Sequence, residues 1–351
     1  MVSTNRRLGR SEVQVSRVIL GAMSLPLDRM SRAEAERTVH AALDHGITTI
    51  DTAPLYGYGA CEEVLGSLIR GRREQVCLIT KVGVRWDNDE LARSGHAPAG
   101  GVHFSERDES GRPRVVRRDS RPESVRREVD ACLRRLQVDT LDLVQVHFRD
   151  LETSVADTVG VLGEMLREGK LRAVGISNFS ASEMLTAHSC LGELGLASHQ
   201  LEYNLAERDR ARALLPSALK LGIGVLAYSP LMRGVLTGRS EKLESITGTR
   251  TRRVLKRGLI ILQEIAATRS EKPSTIALAW LLRQTGVTAV VCGARSPGQI
   301  ADNSRAMDLA LTDEEDTRLR RAFAGCDGSA DWTLRRRGRR LVRRCREALP
   351  P

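Results

Sequence analysis

Aromatic side chains are scarce in this chain: four Phe, four Tyr and three Trp make up 3% of 351 residues. Its core must therefore be built from Leu, Val, Ile and Ala, and a hydrophobic content of 41% is enough for a large one. No apolar run approaches the roughly 18–20 residues that a membrane span needs, so no membrane association is expected. The opening residues, Met1 to Arg7, lack the apolar stretch of a signal peptide. Cysteines number only seven: Cys61, Cys77, Cys132, Cys190, Cys292, Cys326 and Cys345. They are odd in number, scattered, and never spaced C-x-x-C. This fits reduced thiols in the cytoplasm better than a disulfide framework or a cysteine zinc site. No metal is expected.

Acidic residues fall short of basic ones, 44 against 55, for a net charge of +11. The excess is uneven. Residues Asp331 to Pro351 hold eight arginines against one Asp and one Glu, or +6, which leaves +5 for the rest. A basic cluster supplies non-specific phosphate attraction. This one lacks interleaved aromatics beyond Trp332 and any binding motif, so a nucleic-acid partner is not expected.

Short β-rich runs alternate with amphipathic segments of helical period throughout. The runs are Val13–Leu20, Ile47–Asp51, Val76–Thr80, Leu141–Val146, Ala173–Ile176, His199–Tyr203, Ile223–Ala227 and Val287–Val291. Ser31-x-x-Glu34, Ser180-x-x-Glu183 and Thr312-x-x-Glu315 are capping boxes, and Gly46, Gly169 and Gly222 fall where helices should stop. Eight strand–helix units imply parallel strands and a (β/α)8 TIM barrel. A doubly wound sheet is disfavoured because no G-x-G-x-x-G turn follows the first strand. The segment Arg6–Ser11 reads as part of a short N-terminal hairpin. The stretch from Trp86 to Asp119 is long, polar and glycine-rich, and a loop of that length is usually functional or disordered. The chain is expected to form one barrel domain over residues 1–325, followed by an arginine-rich tail over 326–351.

Three consecutive strands end in titratable groups: Asp51, Lys81 and His147. Parallel barrel strands all deliver their C-terminal ends to one face, and Tyr56 follows on the loop leaving that face. A free tyrosine has a pKa near 10, too high for an efficient proton donor at neutral pH. A neighbouring ammonium stabilises the phenolate and lowers that value. A carboxylate would hold the lysine in place, and a histidine can orient a carbonyl by hydrogen bonding. The set suits proton delivery to a developing alkoxide, and the hydride would come from a cofactor.

These residues lie within Asp51-Thr-Ala-x-x-Tyr56-Gly-x-Gly, Thr80-Lys81 and Leu141-Asp-Leu-Val-Gln-Val-His147. Gly21-Ala-Met23, Gly175-Ile-Ser177-Asn178-Phe179, Gln200-x-Glu-Tyr-Asn204, Tyr228-Ser229-Pro230-Leu231-x-x-Gly234 and Gly293-Ala-Arg295 with Gln299 and Asn303 accompany them. In this order, each at a strand end, they resemble the aldo-keto reductase family over about residues 5–325. The pattern is most similar to the bacterial sugar- or polyol-related branch, with Trp86 after the lysine strand. The resemblance implies an NADP-dependent reductase of aldehydes or ketones. Tyr56 would be the general acid, tuned by Lys81, which Asp51 pairs with, and His147 would orient the carbonyl. Ser177, Asn178 and Gln200 would hold the nicotinamide carboxamide, and Tyr228 would stack on its ring. Ser229, Leu231 and Gly234 would follow the pyrophosphate. Gly21, Met23, Asp51 and Gly293 belong with the cofactor-binding set.

Ser296-Pro297 reads as the cap and first residue of a helix, an anion site in which Arg295, Gln299 and Asn303 could clamp adenosine and a 2′-phosphate. That favours NADPH over NADH. The family usually has Trp-Pro after the histidine, where this chain has Phe148-Arg149. An arginine there favours an anionic substrate. Tyr56, Trp86, His147, Phe148 and Arg149 are thus the substrate-side candidates. A non-catalytic barrel that binds nucleotide as a regulatory or interaction subunit is the competing class.

Overall fold

The computed structural model describes residues 5–25, 30–86, 102–107, 113–238, 243, 246 and 249–326. The arginine-rich segment from 327 onward and the centre of the Trp86–Asp119 stretch lie outside the described residues.

Strands β1 (Asn5–Arg7) and β2 (Gln14–Ser16) form an antiparallel hairpin. Eight parallel strands follow, separated by helices: β3 (Val18–Gly21), β4 (Thr49–Asp51), β5 (Cys77–Val82), β9 (Leu143–Val146), β10 (Val174–Ser177), β11 (Ser198–Glu202), β12 (Gly224–Tyr228) and β13 (Val287–Gly293). They close in that order, with β13 pairing β3, so the molecule is a (β/α)8 barrel. The sequence run Val13–Leu20 is divided: its first half belongs to the hairpin, and Arg17 separates it from β3.

The hairpin plugs the N-terminal end of the barrel. Leu8, Val13 and Val15 join Ile19, Ile79, Leu143, Leu226 and Ala289 in one buried interior cluster. Gly9 sits so close to β12 that a Cβ there would lie 2.5 Å from the Ala197 carbonyl and 2.7 Å from that of Gly222. Its φ of +58° adds a second reason for glycine.

Helices α1 (Arg32–Asp44), α2 (Ala60–Leu68), α3 (Pro122–Leu136), α4 (Val155–Arg167), α5 (Ala181–Leu191), α6 (Asp209–Leu221), α7 (Thr249–Thr268), α8 (Pro273–Leu282), α9 (Pro297–Arg305) and α10 (Asp313–Ala322) surround the barrel. All three capping boxes form, at α1, α5 and α10. Gly222 ends α6 in the left-handed region, as an L-residue rarely can. Apart from Phe179, Tyr203, Trp280 and Phe323, the larger core is mainly aliphatic, as the composition requires.

The Trp86–Asp119 stretch is not simply a loop. β6 (Val84–Arg85), β7 (Val102–Arg107) and β8 (Pro113–Arg118) form a separate antiparallel sheet in the order β6-β8-β7. It stands between β5 and α3, on the C-terminal side of the barrel. Val84 and Val116 are its buried apolar anchors.

Candidate active site

Each barrel strand brings one residue of the expected site to the same mouth. Gly21, Asp51, Lys81, Ser177, Tyr228 and Gly293 stand at or near the ends of β3, β4, β5, β10, β12 and β13, and Gln200 lies within β11. His147 directly follows β9, its backbone N–H donating to the Val82 carbonyl at 2.9 Å.

Lys81 Nζ donates to Asp51 Oδ1 at 2.6 Å and to the Thr52 carbonyl at 2.9 Å. Asp51 Oδ2 accepts from Gln200 Nε2 at 2.8 Å. Gln200 also donates to Gln145, and Gln145 to Ser198 Oγ at 2.9 Å, so a polar chain crosses the barrel interior. A buried polar chain is tolerable because each member has a partner. Gly175 leaves room for it, since a Cβ there would lie 2.2 Å from Ser198 Oγ.

Lys81 Nζ lies 5.3 Å from the Tyr56 ring centroid, and the Tyr56 and His147 rings meet edge-on with centroids 6.2 Å apart. Burial pushes the Tyr56 phenol well above its ordinary range, and the nearby Asp51 charge adds to this. The expected lowering is thus not what the resting site produces, because burial of the phenol outweighs it. Burial pushes His147 well below the ordinary histidine range, and the positive fields of Lys81, His103 and Arg118 act the same way. The mouth therefore holds a protonated phenol and a neutral imidazole at neutral pH.

The candidates for nucleotide binding surround this centre. Asn178, at φ +65°, donates to the His147 carbonyl and to Ser177 Oγ, each at 3.0 Å, and its Oδ1 accepts from Tyr228 Oη at 2.7 Å. Ser229, Met232, Arg233 and Gly234 all have positive φ, and Leu231 precedes the 3-10 turn Met232–Thr237. Gly21 and Gly293 pair in register, and a Cβ on Gly293 would meet nothing closer than 3.6 Å. Met23 beside them is 45% exposed, unusual for a large apolar side chain. Ser296 caps α9 by accepting from the Gln299 N–H, and the Gln299 side chain accepts from the Arg295 N–H at 2.8 Å. Arg295 is exposed and Asn303 buried. This shelf of glycines, left-handed backbone and a helix N-terminus suits an extended dinucleotide.

On the substrate side, Phe148 stacks on His147 with centroids 4.6 Å apart. Trp86 meets Tyr58 edge-on at 5.5 Å, and Arg114 of β8 lies 4.1 Å over the Tyr58 ring, so Trp86 joins the accessory sheet to the loop after β4. Arg149 does not present its guanidinium to the mouth. It donates to the Thr153 carbonyl and lies 3.5 Å from Glu183, which closes the capping box of α5. Its place beside the ring stack is taken by Arg118 of β8, 5.3 Å over Phe148.

His103, Arg118 and Gln145 are absent from the sequence-derived set. Val102-His-Phe and Arg114-Val-Val, separated by Glu109-Ser-Gly-Arg, carry a hairpin signal that the polar character of the whole stretch hides. Gln145 lies one strand position from the expected β9 end, and nothing in the sequence marks it.

Fold and mouth together are those of a (β/α)8-barrel oxidoreductase. The model of the aldo/keto reductase family matches residues 17–323. The chain is 33% identical over 320 residues to aldo-keto reductase YhdN of Bacillus subtilis, covering 86% of this chain and 88% of that one. It is 31% identical over 331 residues to the NADH-specific methylglyoxal reductase of Escherichia coli, covering 89% and 96%. Among solved structures, the glycerol dehydrogenase AKR11B4 of Gluconobacter oxydans superposes with a TM-score of 0.77 at 32% identity, covering 92% of this chain and 96% of that one. The chain belongs to the aldo/keto reductase family, whose members act on carbonyl compounds with nicotinamide nucleotides. Among the described residues, no helix is long and apolar enough to cross a membrane.

Proposed function

We propose that the chain reduces an aldehyde or ketone to the alcohol with NADPH, Tyr56 giving the proton. The observation that carries this reading is the Asp51–Lys81 pair set 5.3 Å from the Tyr56 ring, with a neutral His147 edge-on to it. A bound nicotinamide supplies the hydride to the carbonyl carbon. Ser177, Asn178 and Gln200 would hold its carboxamide, Tyr228 would lie against the ring, and Ser229, Leu231 and Gly234 would follow the pyrophosphate. Gly21 and Gly293 leave space along the shelf, with the exposed Met23 beside them.

The remaining work falls to this chain's side chains. His147, neutral, donates one N–H to the substrate oxygen and orients it. Tyr56 holds its proton until charge develops on that oxygen, then transfers it from Oη. The phenolate left behind is stabilised by Lys81, which Asp51 fixes in place, and is reprotonated from solvent. The preference for NADPH is supported by Arg295, exposed beside the Ser296 cap where a 2′-phosphate would meet both a guanidinium and the helix N-terminus.

Turnover of NADPH and NADH with small aldehydes, in wild type and Tyr56→Phe, tests the reading. NADPH should give the higher kcat/KM, narrowed by Arg295→Ala. Tyr56→Phe should lose about 100-fold or more in kcat while still binding nucleotide. Turnover indifferent to Tyr56→Phe would remove the proton donor. Nucleotide binding without turnover on any carbonyl would favour a non-catalytic binding subunit. A higher kcat/KM with NADH would align this chain with the Escherichia coli relative.

A further inference from the structure

Beyond the fields that His103 and Arg118 exert on His147, the side chains on β7 and β8 have no part in the chemistry above, yet they continue the site. From His147 the aromatic contacts run outward: His147 to Phe148 at 4.6 Å, and Phe148 to His103 at 4.7 Å. Arg118 lies over the same Phe148 ring at 5.3 Å. Its Nε donates to His103 Nδ1 at 3.3 Å, and one terminal nitrogen donates to the Arg149 carbonyl at 3.1 Å. These contacts fix the plane of the guanidinium. The other terminal nitrogen has no hydrogen bond, and the side chain has no ion pair, among the described residues.

Such an arginine is costly to place. It is half-buried, and burial pulls its pKa down. Asp150 is the carboxylate whose field reaches it, but the Asp150 oxygens are taken by the Ser120 N–H, the Glu152 N–H and the Thr153 hydroxyl. Asp51, the carboxylate of the mouth itself, is tied to Lys81. Two cations therefore face this end of the barrel, and both of these carboxylates are already committed. A fixed, forked cation with one edge open is suited to a carboxylate or phosphate.

We propose that Arg118, oriented by His103, forms an anion subsite above Phe148, and that the substrate is a short carbonyl compound carrying a carboxylate or phosphate. The inference rests on the reductase reading of the same mouth. The carbonyl lies at His147, the chain runs along the Phe148 ring, and the anionic end meets the open edge of Arg118. The subsite belongs to the accessory sheet, so the barrel supplies the reaction and the insertion selects the substrate.

The test compares kcat/KM within two substrate pairs: 4-oxobutanoate against butanal, and glyceraldehyde 3-phosphate against glyceraldehyde. Wild type should prefer the anionic member of at least one pair by about tenfold or more, the worth of a charged hydrogen bond. Which pair shows it identifies carboxylate or phosphate. Arg118→Gln should collapse that ratio towards one, chiefly through KM, and Arg118→Lys should restore part of it. Neutral aldehydes turned over with no anionic preference, or a ratio unchanged in Arg118→Gln, would overturn the subsite and leave the reductase reading standing. No turnover of any carbonyl would overturn both. The wild-type ratio decides by itself if the Arg118 variants do not fold.

Discussion

Lys81 and Asp51 form an ion pair of 2.6 Å in which the side chains are 1% and 2% exposed. Neither charge can be hydrated, so each depends on the other. Removing one leaves an unpaired buried charge, a loss on the order of 3–5 kcal/mol. Lys81→Met and Asp51→Asn should each lower stability strongly. The double variant should cost less than the sum by about 1 kcal/mol or more, because the second change removes a charge already stranded. Chemical denaturation of the four proteins measures this, and strictly additive losses would show that the charges do not rely on one another.

Tyr228 donates to Asn178 Oδ1 at 2.7 Å, and Asn178 holds a left-handed backbone at φ +65° while bonding to Ser177 and the His147 carbonyl. Tyr228→Phe keeps the ring and removes that tie. The net worth of one such hydrogen bond predicts a rise of about 2- to 10-fold in the Kd for nicotinamide nucleotide. Calorimetric titration would show it. An unchanged Kd would mean that Asn178 is held well enough by its other partners.

The barrel was legible because its signals are periodic and local. Strand ends such as Asp51, Lys81 and His147 carry polar residues where an apolar run stops, and boxes such as Ser31–Glu34 mark helix starts one residue at a time. The accessory sheet was not legible. Its strands are polar, with Arg114, Arg117 and Arg118 on β8, so their apolar alternation is weak. Arg149 misled for another reason. Sequence adjacency to His147 does not fix where a long side chain points, and Glu183, the carboxylate beside it, comes from the start of a different strand–helix unit. The direction of the Tyr56 shift depends on how completely the mouth is enclosed, which no spacing encodes.

His199 is fully buried on β11, and neither ring nitrogen has a hydrogen-bond partner among the described residues. Burial pulls its pKa down to about 3, with the Arg210 charge acting in the same direction. An unfolded histidine titrates near 6.5. Between these values the unfolded chain binds a proton that the folded one refuses, so stability falls as pH drops from about 6.5 towards 3. His199→Leu should remove this slope, worth about 1 kcal/mol per pH unit, so that its stability relative to wild type rises between about pH 7 and pH 5. Denaturation at the two pH values checks this. A constant difference would mean that His199 does not titrate with unfolding.

Glu128 of α3 accepts from the Gly83 N–H at 2.6 Å, at the turn where the chain leaves Lys81 and β5 for the accessory sheet. Burial lifts its carboxyl to about 8 against the Arg85 charge, which pulls the other way. For an acid raised in this way, the folded state keeps a proton that the unfolded chain has lost, so stability falls as pH rises from about 4.5 to about 8. Glu128→Gln preserves a neutral acceptor for Gly83 and cannot ionise. Its stability should match wild type near pH 5 and exceed it near pH 8, as thermal denaturation at both values would show. If Arg85 instead outweighs burial and holds Glu128 ionised, the variant loses a paired charge and is the less stable protein at about pH 8. The sign of that one difference decides whether the turn beneath the accessory sheet is held by a carboxylic acid or by an ion pair.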